Sequence, residues 1–287
     1  MLIVTGATGR LGSLILDRLL ERVPADKVGI SVRDAAKAAA LAERGVRVRT
    51  GDFTEPDTLK HAFEGAERVL VISASIRGDA AVPANAAAID AARAAGAQRV
   101  LYTSHQAASA ASLFAPQPVH AAAEEHLKRL GIPFTALRNG FYASTLEMYV
   151  RAALESGRLA APLDGPVSWT AHEDLAEAAA IALTEDGVFD GITPPLTAPR
   201  TLGFADVAAI LSRITGRTIE RVVMDDEEWV AAMAAGGMPR PLAEFLLTMF
   251  LASRKGEFDV TSPALESALG RPARSMQEVL EAFVRSL

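Results

Sequence analysis

The chain of 287 residues contains no cysteine, which removes disulfides, thiolate metal sites and a cysteine nucleophile and fits a reducing compartment. Long apolar runs are missing too: the longest, Val69 to Ile76, falls far short of the roughly 20 residues a spanning helix needs, so no membrane partner is expected. No long Lys/Arg run occurs either, and 29 basic against 35 acidic residues give a net charge of -6. That balance argues against duplex nucleic acid or an anionic membrane as partner, while leaving room for a local basic site for a phosphate. Met1 leads straight into Leu2-Ile3-Val4, with no basic leader region and no small-residue cleavage site, so the start reads as part of the fold and the protein as cytoplasmic.

Hydrophobic residues make up 50% and charged residues 22%, a soluble globular balance long enough for two units or one enlarged α/β domain. Short β-branched runs at Leu2–Thr5, Lys27–Val32, Val46–Thr50, Arg68–Ser73, Arg99–Thr103 and Pro133–Arg138 read as strands, with helix-length Ala/Leu/Glu-rich patterns between them. Near-continuous apolar strands separated by helices imply a parallel sheet covered on both faces, a Rossmann-like doubly wound α/β fold. The second half differs, with helical patterns at His172–Thr184, Phe204–Thr215, Asp225–Ala235, Pro241–Ser253 and Ser275–Ser286 and only short strands such as Glu220–Met224. It reads as a smaller, mostly helical part. No solenoid-period repeat occurs.

Between the first strand and an amphipathic helix over about Arg10 to Arg22 stands Thr5-Gly6-Ala7-Thr8-Gly9-Arg10-Leu11-Gly12. One glycine permits the tight turn, one lets backbone approach a pyrophosphate, and one lets helix and strand pack closely, with the phosphates on the helix N-terminus. The alternative is a strand-helix turn with no ligand. The β/α units that follow favour dinucleotide binding by Gly6, Thr8, Gly9, Arg10, Leu11 and Gly12. At the end of the second strand, where an NAD site places a carboxylate, stands Arg33. With Lys37 one turn on, it can meet the 2'-phosphate of NADP. Asp34 is either the NAD acid or the N-cap of the next helix, the cap being preferred. Asp52 and Phe53 can border the adenine, and Ser73, Ala74 and Ser75 the pyrophosphate or nicotinamide ribose; each also reads as a cap or a small-residue strand end.

These residues, together with Tyr102-Thr103-Ser104, His120-x-x-x-Glu124 and Leu137-Arg138-Asn139-Gly140-Phe141-Tyr142, resemble the NmrA-like group of atypical short-chain dehydrogenase/reductase relatives. Within that group the chain is most similar to the branch of type 2 quinone reductases and triphenylmethane dye reductases. The resemblance implies NAD(P)(H) in an N-terminal Rossmann domain, about residues 1–145, and a flat small-molecule electron acceptor beneath a substrate-binding part, residues 146–287, with the two parts interleaved. It further implies that Thr103, Asn139, Gly140 and Phe141 border the cofactor. Two positions depart from the quinone-reductase pattern: Glu125 stands where Lys is frequent, and Thr145 where Asn is frequent.

Ordinary short-chain dehydrogenases pair a Tyr with a Lys four residues on. Here Tyr102, Tyr142 and Tyr149 are followed at that spacing by Gln106, Leu146 and Ala153. Alcohol oxidation by a Tyr–Lys pair is therefore not expected, whereas a quinone or cationic dye carbon is electrophilic enough to take hydride directly. His120 and Glu124 share one face of a helix expected over about Val119 to Leu130, either as a hydrogen-bonded catalytic pair or as a surface pair. Ser104, at the ligand-binding edge of the sheet, is a third catalytic candidate. Phe114, Phe141, Tyr142 and Trp169 are candidates for stacking on a planar acceptor, or for core. His61, His105 and His172 read as ordinary surface or loop histidines. The segment from Gln106 to Pro118 reads as a loop that can close over the site. No metal site and no Gly-x-Ser-x-Gly elbow are found.

The sequence thus points to an NADPH-dependent reductase of quinones or of planar electrophiles such as triphenylmethane or azo dyes. The alternative is an NmrA-type NADP-binding redox sensor without turnover that acts on a protein partner. An isomerase or lyase with tightly held NADP is disfavoured because nothing supplies its acid and base.

Overall fold

The computed structural model describes residues 1–287. In chain order the first half forms β1 (Leu2–Thr5), α1 (Arg10–Leu20), β2 (Val28–Val32), α2 (Ala39–Glu43), β3 (Arg47–Thr50), α3 (Pro56–Ala62), β4 (Arg68–Val71), α4 (Ala81–Ala94), β5 (Arg99–His105), α5 (Gln117–Arg129) and β6 (Phe134–Asn139). The second half adds β7 (Phe141–Tyr142), α6 (Glu147–Ser156), β8 (Arg158–Pro162), β9 (Trp169–Thr170), α7 (His172–Thr184), β10 (Gly191–Ile192), α8 (Phe204–Thr215), β11 (Glu220–Met224), α9 (Asp226–Ala235), α10 (Arg240–Arg254), α11 (Ala264–Leu269) and α12 (Met276–Arg285). No helix is long and apolar enough to cross a membrane.

Seven parallel strands form the main sheet in the order β3-β2-β1-β4-β5-β6-β10. Its strands are apolar on both faces because successive side chains alternate between two helix layers. Val4, Leu70, Leu101 and Leu137 pack with α1 and α7, whereas Ile3, Val69, Val100 and Ala136 pack with α3, α4 and α5. The order reverses beside β1, opening a crevice at the carboxyl ends of β1 and β4.

The seventh strand was not read from the sequence, since two residues carry no periodicity. α7 lies against α1, its Ala176 and Ala179 in the same core as Leu16 and Leu19, so small side chains allow close helix packing. Although α7 and β10 come from the second half of the chain, both belong to the sheet layers. A separate core gathers Tyr149, Trp169, Phe204, Trp229, Phe250 and Phe258, and a two-stranded parallel sheet of β8 and β11 borders it.

Candidate active site

The β1–α1 turn owes its shape to glycine. Gly6 adopts φ +60°, where a side chain is strained, and its carbonyl accepts the Gly9 N–H at 3.0 Å. Gly12 allows the closest approach: a Cβ there would stand 2.2 Å from the Gly6 oxygen and 2.8 Å from the Ala7 Cα. α1 then begins with no side-chain cap and no acidic residue in its first turn. Its N-terminal amides and positive dipole end are therefore left without a capping side chain. Leu11 is buried in the core, so only its backbone is on offer. The Arg10 guanidinium pairs with Glu147 of α6 at 2.5 Å, tying the turn to the second half of the chain.

Asp34 accepts the Ala36 N–H at 3.0 Å and so caps the short helical turn that follows β2, as preferred from the sequence. Lys37 lies 4.0 Å from Asp34, and Arg33 is exposed beside them. The Asp52 carboxylate accepts from the Thr54 amide and hydroxyl at 2.8 and 2.7 Å. Those bonds, with a smaller contribution from Arg33, hold it below the usual carboxylate range, and half-buried Phe53 adjoins it.

Side chains join the strand ends across the crevice. Thr5 Oγ1 accepts the Ile72 N–H at 2.9 Å, Thr103 Oγ1 accepts the Ser73 N–H at 2.8 Å, and Asn85 Oδ1 accepts the Ala74 N–H at 3.2 Å. Ser75 is exposed at the rim. Asn139 is buried with its Oδ1 unpartnered. At Gly140 a Cβ would stand 2.1 Å from Thr170 Oγ1, so the turn into Phe141 exists only because that residue is glycine.

The expected His120–Glu124 pair does not form. Glu124, only 4% exposed, accepts from Arg138 Nε at 2.8 Å, from Arg138 Nη2 at 2.7 Å and from the Ser104 hydroxyl at 2.6 Å. Arg138 on β6 is a stronger, bidentate partner than an imidazole one turn away, so Glu124 and Ser104 are committed to fastening α5 to the sheet. His120 Nδ1 instead lies 3.2 Å from the Tyr102 hydroxyl. Burial pushes the Tyr102 phenol up and the His120 imidazole down to about 4.

His105, expected to be an ordinary loop residue, ends β5 inside an aromatic pocket. Its ring centroid lies 5.3 Å from Phe141, 5.8 Å from Phe258 and 6.2 Å from Phe114, and it stacks on His120 at 6.1 Å. Both imidazoles are half-buried. Burial holds His105 well below its ordinary value, with repulsion from His120 adding to the effect. Phe114 and Phe141 meet at 5.4 Å, whereas Trp169 stands behind Phe141 with its Nε1 donating to the Leu202 carbonyl at 2.9 Å. Tyr142 lies outside this pocket, its ring tilted against His172 at 4.3 Å. His172 is thus also corrected from surface to interior, and burial lowers it to about 4, whereas His61 is exposed as expected.

Gln106 was not singled out from the sequence, yet its buried amide holds the pocket together. It accepts from the Phe141 N–H at 3.2 Å and the Ser168 hydroxyl at 2.7 Å, and donates to the Phe258 carbonyl at 3.2 Å. The segment after it is tied to the second half of the chain, because Glu257 accepts from Ser112 and from the Leu113 N–H. The clue available for His105 was its place directly after Ser104 at the strand end. Nothing local marked Phe258, which arrives from far along the chain.

No three His, Asp or Glu side chains stand together to hold a metal ion. The sequence profile of the NmrA-like family matches residues 1–283. The chain is 32% identical over 283 residues to an NAD(P)H azoreductase of Xenophilus azovorans, covering 98% of this chain and 97% of that one. The NADPH-dependent quinone oxidoreductase of Escherichia coli, solved with NADPH, superposes with a TM-score of 0.93 at 32% identity, covering 99% of this chain and 100% of that one. The triphenylmethane reductase of a Citrobacter species, solved with NADP(H), superposes with a TM-score of 0.91 at 32% identity and the same coverage.

Proposed function

The chain belongs to the NmrA-like family, and from that premise we propose that it is an NADPH-dependent reductase transferring hydride to quinones or similar planar electrophiles, triphenylmethane and azo dyes among them. The observation that carries this reading is the continuity of two sites at one sheet edge. The glycine turn and uncapped α1 adjoin the Ile72–Ser75 strand end, which is bonded through Thr103 to β5, and β5 carries Tyr102 and His105 into the aromatic pocket.

The residues present fit the cofactor. Amides of the Gly9–Gly12 turn and the α1 N-terminus suit a pyrophosphate, and the first turn of α1 carries no acidic residue of its own. Arg33, with Lys37, suits the 2'-phosphate, because Asp34 is turned to its cap. Asp52 and Phe53 border the adenine side. Ser73, Thr103 and Asn139 line the route to the pocket, where the unpartnered Asn139 oxygen suits an amide donor.

When bound, NADPH supplies the hydride. Phe114, backed by Phe141 and the fully buried Phe258, offers a flat acceptor an apolar face and excludes water. Reduction of a quinone places negative charge on an oxygen, and a neutral His120 can hydrogen-bond that oxygen while Tyr102 occupies Nδ1. With its basicity lowered by burial, His120 serves as a fixed donor rather than as a charged acid, and the proton completing the hydroquinone comes from solvent. Glu124 and Arg138 position α5, and with it His120, without touching the acceptor.

NADPH oxidation followed against a panel of quinones and cationic dyes tests this reading. His120→Ala should lower quinone turnover by roughly 10-fold to 1,000-fold, the range for one lost donor at a developing oxyanion, with NADPH affinity retained. A dye whose cationic carbon becomes neutral on reduction should lose much less. Failure of the wild-type protein to oxidise NADPH with any acceptor above background would overturn the reductase assignment in favour of a nucleotide sensor.

A further inference from the structure

We propose that His105 is a second acceptor-binding group, its Nε2–H donating to one oxygen of the acceptor while His120 donates to another, so that the pocket selects dicarbonyl acceptors over those with one polar atom or none. The proposal rests on the reductase reading and names a substrate class within it.

Hydrogen bonding determines the tautomer. His105 Nδ1 receives the Ala107 backbone N–H at 3.3 Å, a group that can only donate, so Nδ1 carries the lone pair and the proton of the neutral ring resides on Nε2. The buried Gln117 side-chain amide lies 2.6 Å from the same Nδ1 and holds the ring in place.

The surroundings of the ring lead to the same conclusion. Three phenylalanine rings wall His105, leaving Nε2–H as its one uncommitted polar group, and no side chain or backbone group of the protein bonds it. The neighbouring His120, held through Nδ1 by Tyr102, also leaves its Nε2 uncommitted. The rings stack 6.1 Å apart at 28°. Two uncommitted donors on neighbouring rings can each meet an oxygen of one dicarbonyl acceptor. A triphenylmethane cation offers no oxygen at its reacting carbon and gains nothing from the second donor.

His105→Phe keeps an aromatic ring and removes the donor. For 1,4-naphthoquinone, kcat/KM should fall roughly 5-fold to 50-fold, the scale of one hydrogen bond lost in an enclosed site, while a cationic triphenylmethane dye loses less than about 3-fold. Equilibrium dialysis of 1,4-naphthohydroquinone against NADP-loaded protein should show the same weakening without turnover. This arm still reports on His105 if the wild type oxidises no NADPH, the result that would sink the reductase reading instead. Equal losses for quinone and dye would make His105 a structural residue, and no loss for either would remove it from the site. Imidazole 15N spectra of the wild type provide a check independent of any variant. A His105 Nε2–H signal that moves on adding the naphthohydroquinone supports the proposal, whereas an Nδ1–H tautomer or an unmoved signal overturns it.

Discussion

Between Gly6 and Gly12 a single turn makes the phosphate seat out of backbone, whereas the pocket beside it needs His105 and Phe114 from one segment, His120 from α5, Phe141 from β7 and Phe258 from beyond α10. The seat depends on the absence of side chains and on local dihedral angles. The pocket depends on side chains brought together across the chain and on buried amides, Gln106 and Gln117, that orient them. A site of the first kind tolerates almost no added atoms. One of the second kind can lose a wall or a donor and change its preference before it loses its activity.

The difference is put to its hardest test at the glycines. Gly9→Val should reduce NADPH affinity more than about 100-fold while the unliganded protein melts within a few degrees of wild type, since a Cβ there meets only the Gly6 oxygen at 3.2 Å. Gly12→Val should lose both binding and stability, because its Cβ would overlap the turn itself. Thermal melts with and without NADPH separate the two effects; a normal NADPH shift in Gly9→Val would move the nucleotide elsewhere.

Next in size is the Glu124–Arg138 pair, which should act on stability rather than chemistry. Arg138→Met leaves Glu124 charged and buried with only Ser104 as partner, so unfolding in urea should show a loss of about 3 kcal/mol. NADPH affinity should be unchanged; a variant with wild-type stability and lost turnover would instead make the pair part of the reaction.

Arg33→Ala should weaken NADPH roughly 10-fold to 100-fold and NADH little, the size of one charged contact to a 2'-phosphate. Equal losses measured for the two nucleotides would remove Arg33 from that role.

A more gradual effect is expected in acid. His120 and His172 are held neutral down to about 4 from an ordinary 6.5, so the unfolded chain binds more protons between those values and stability falls as pH drops through them. The melting temperature should decline by several degrees for each pH unit lost across that window, beyond any carboxylate contribution, and the decline should be shallower in His172→Phe. A slope unchanged in that variant would show that His172 is not held neutral.

Much of this was legible because its causes are local. Six strands follow from short β-branched runs, Leu2–Thr5 and Glu220–Met224 were read to the residue, and His172–Thr184 follows from alanine and leucine at helical spacing. The Asp34 cap was legible for the same reason, since it binds a backbone amide two residues away. Pairings across the chain were not. The i,i+4 spacing puts His120 and Glu124 on one face of α5 but says nothing of Arg138 and Tyr102, which β6 and β5 bring against that face. Two-residue strands such as β10 have no period to detect.

The order of residues in this chain by itself determined the alternation of strands and helices, the glycine turn and the basic strand end, because dihedral preference, side-chain periodicity and capping act over a few neighbouring residues. Only the tertiary structure decided that Glu124 is a fastener, that His105 faces an aromatic pocket and that α7 joins the sheet layers. Burial, ion pairing and imidazole tautomer are properties of the surroundings, and for these groups the surroundings arrive from distant parts of the chain.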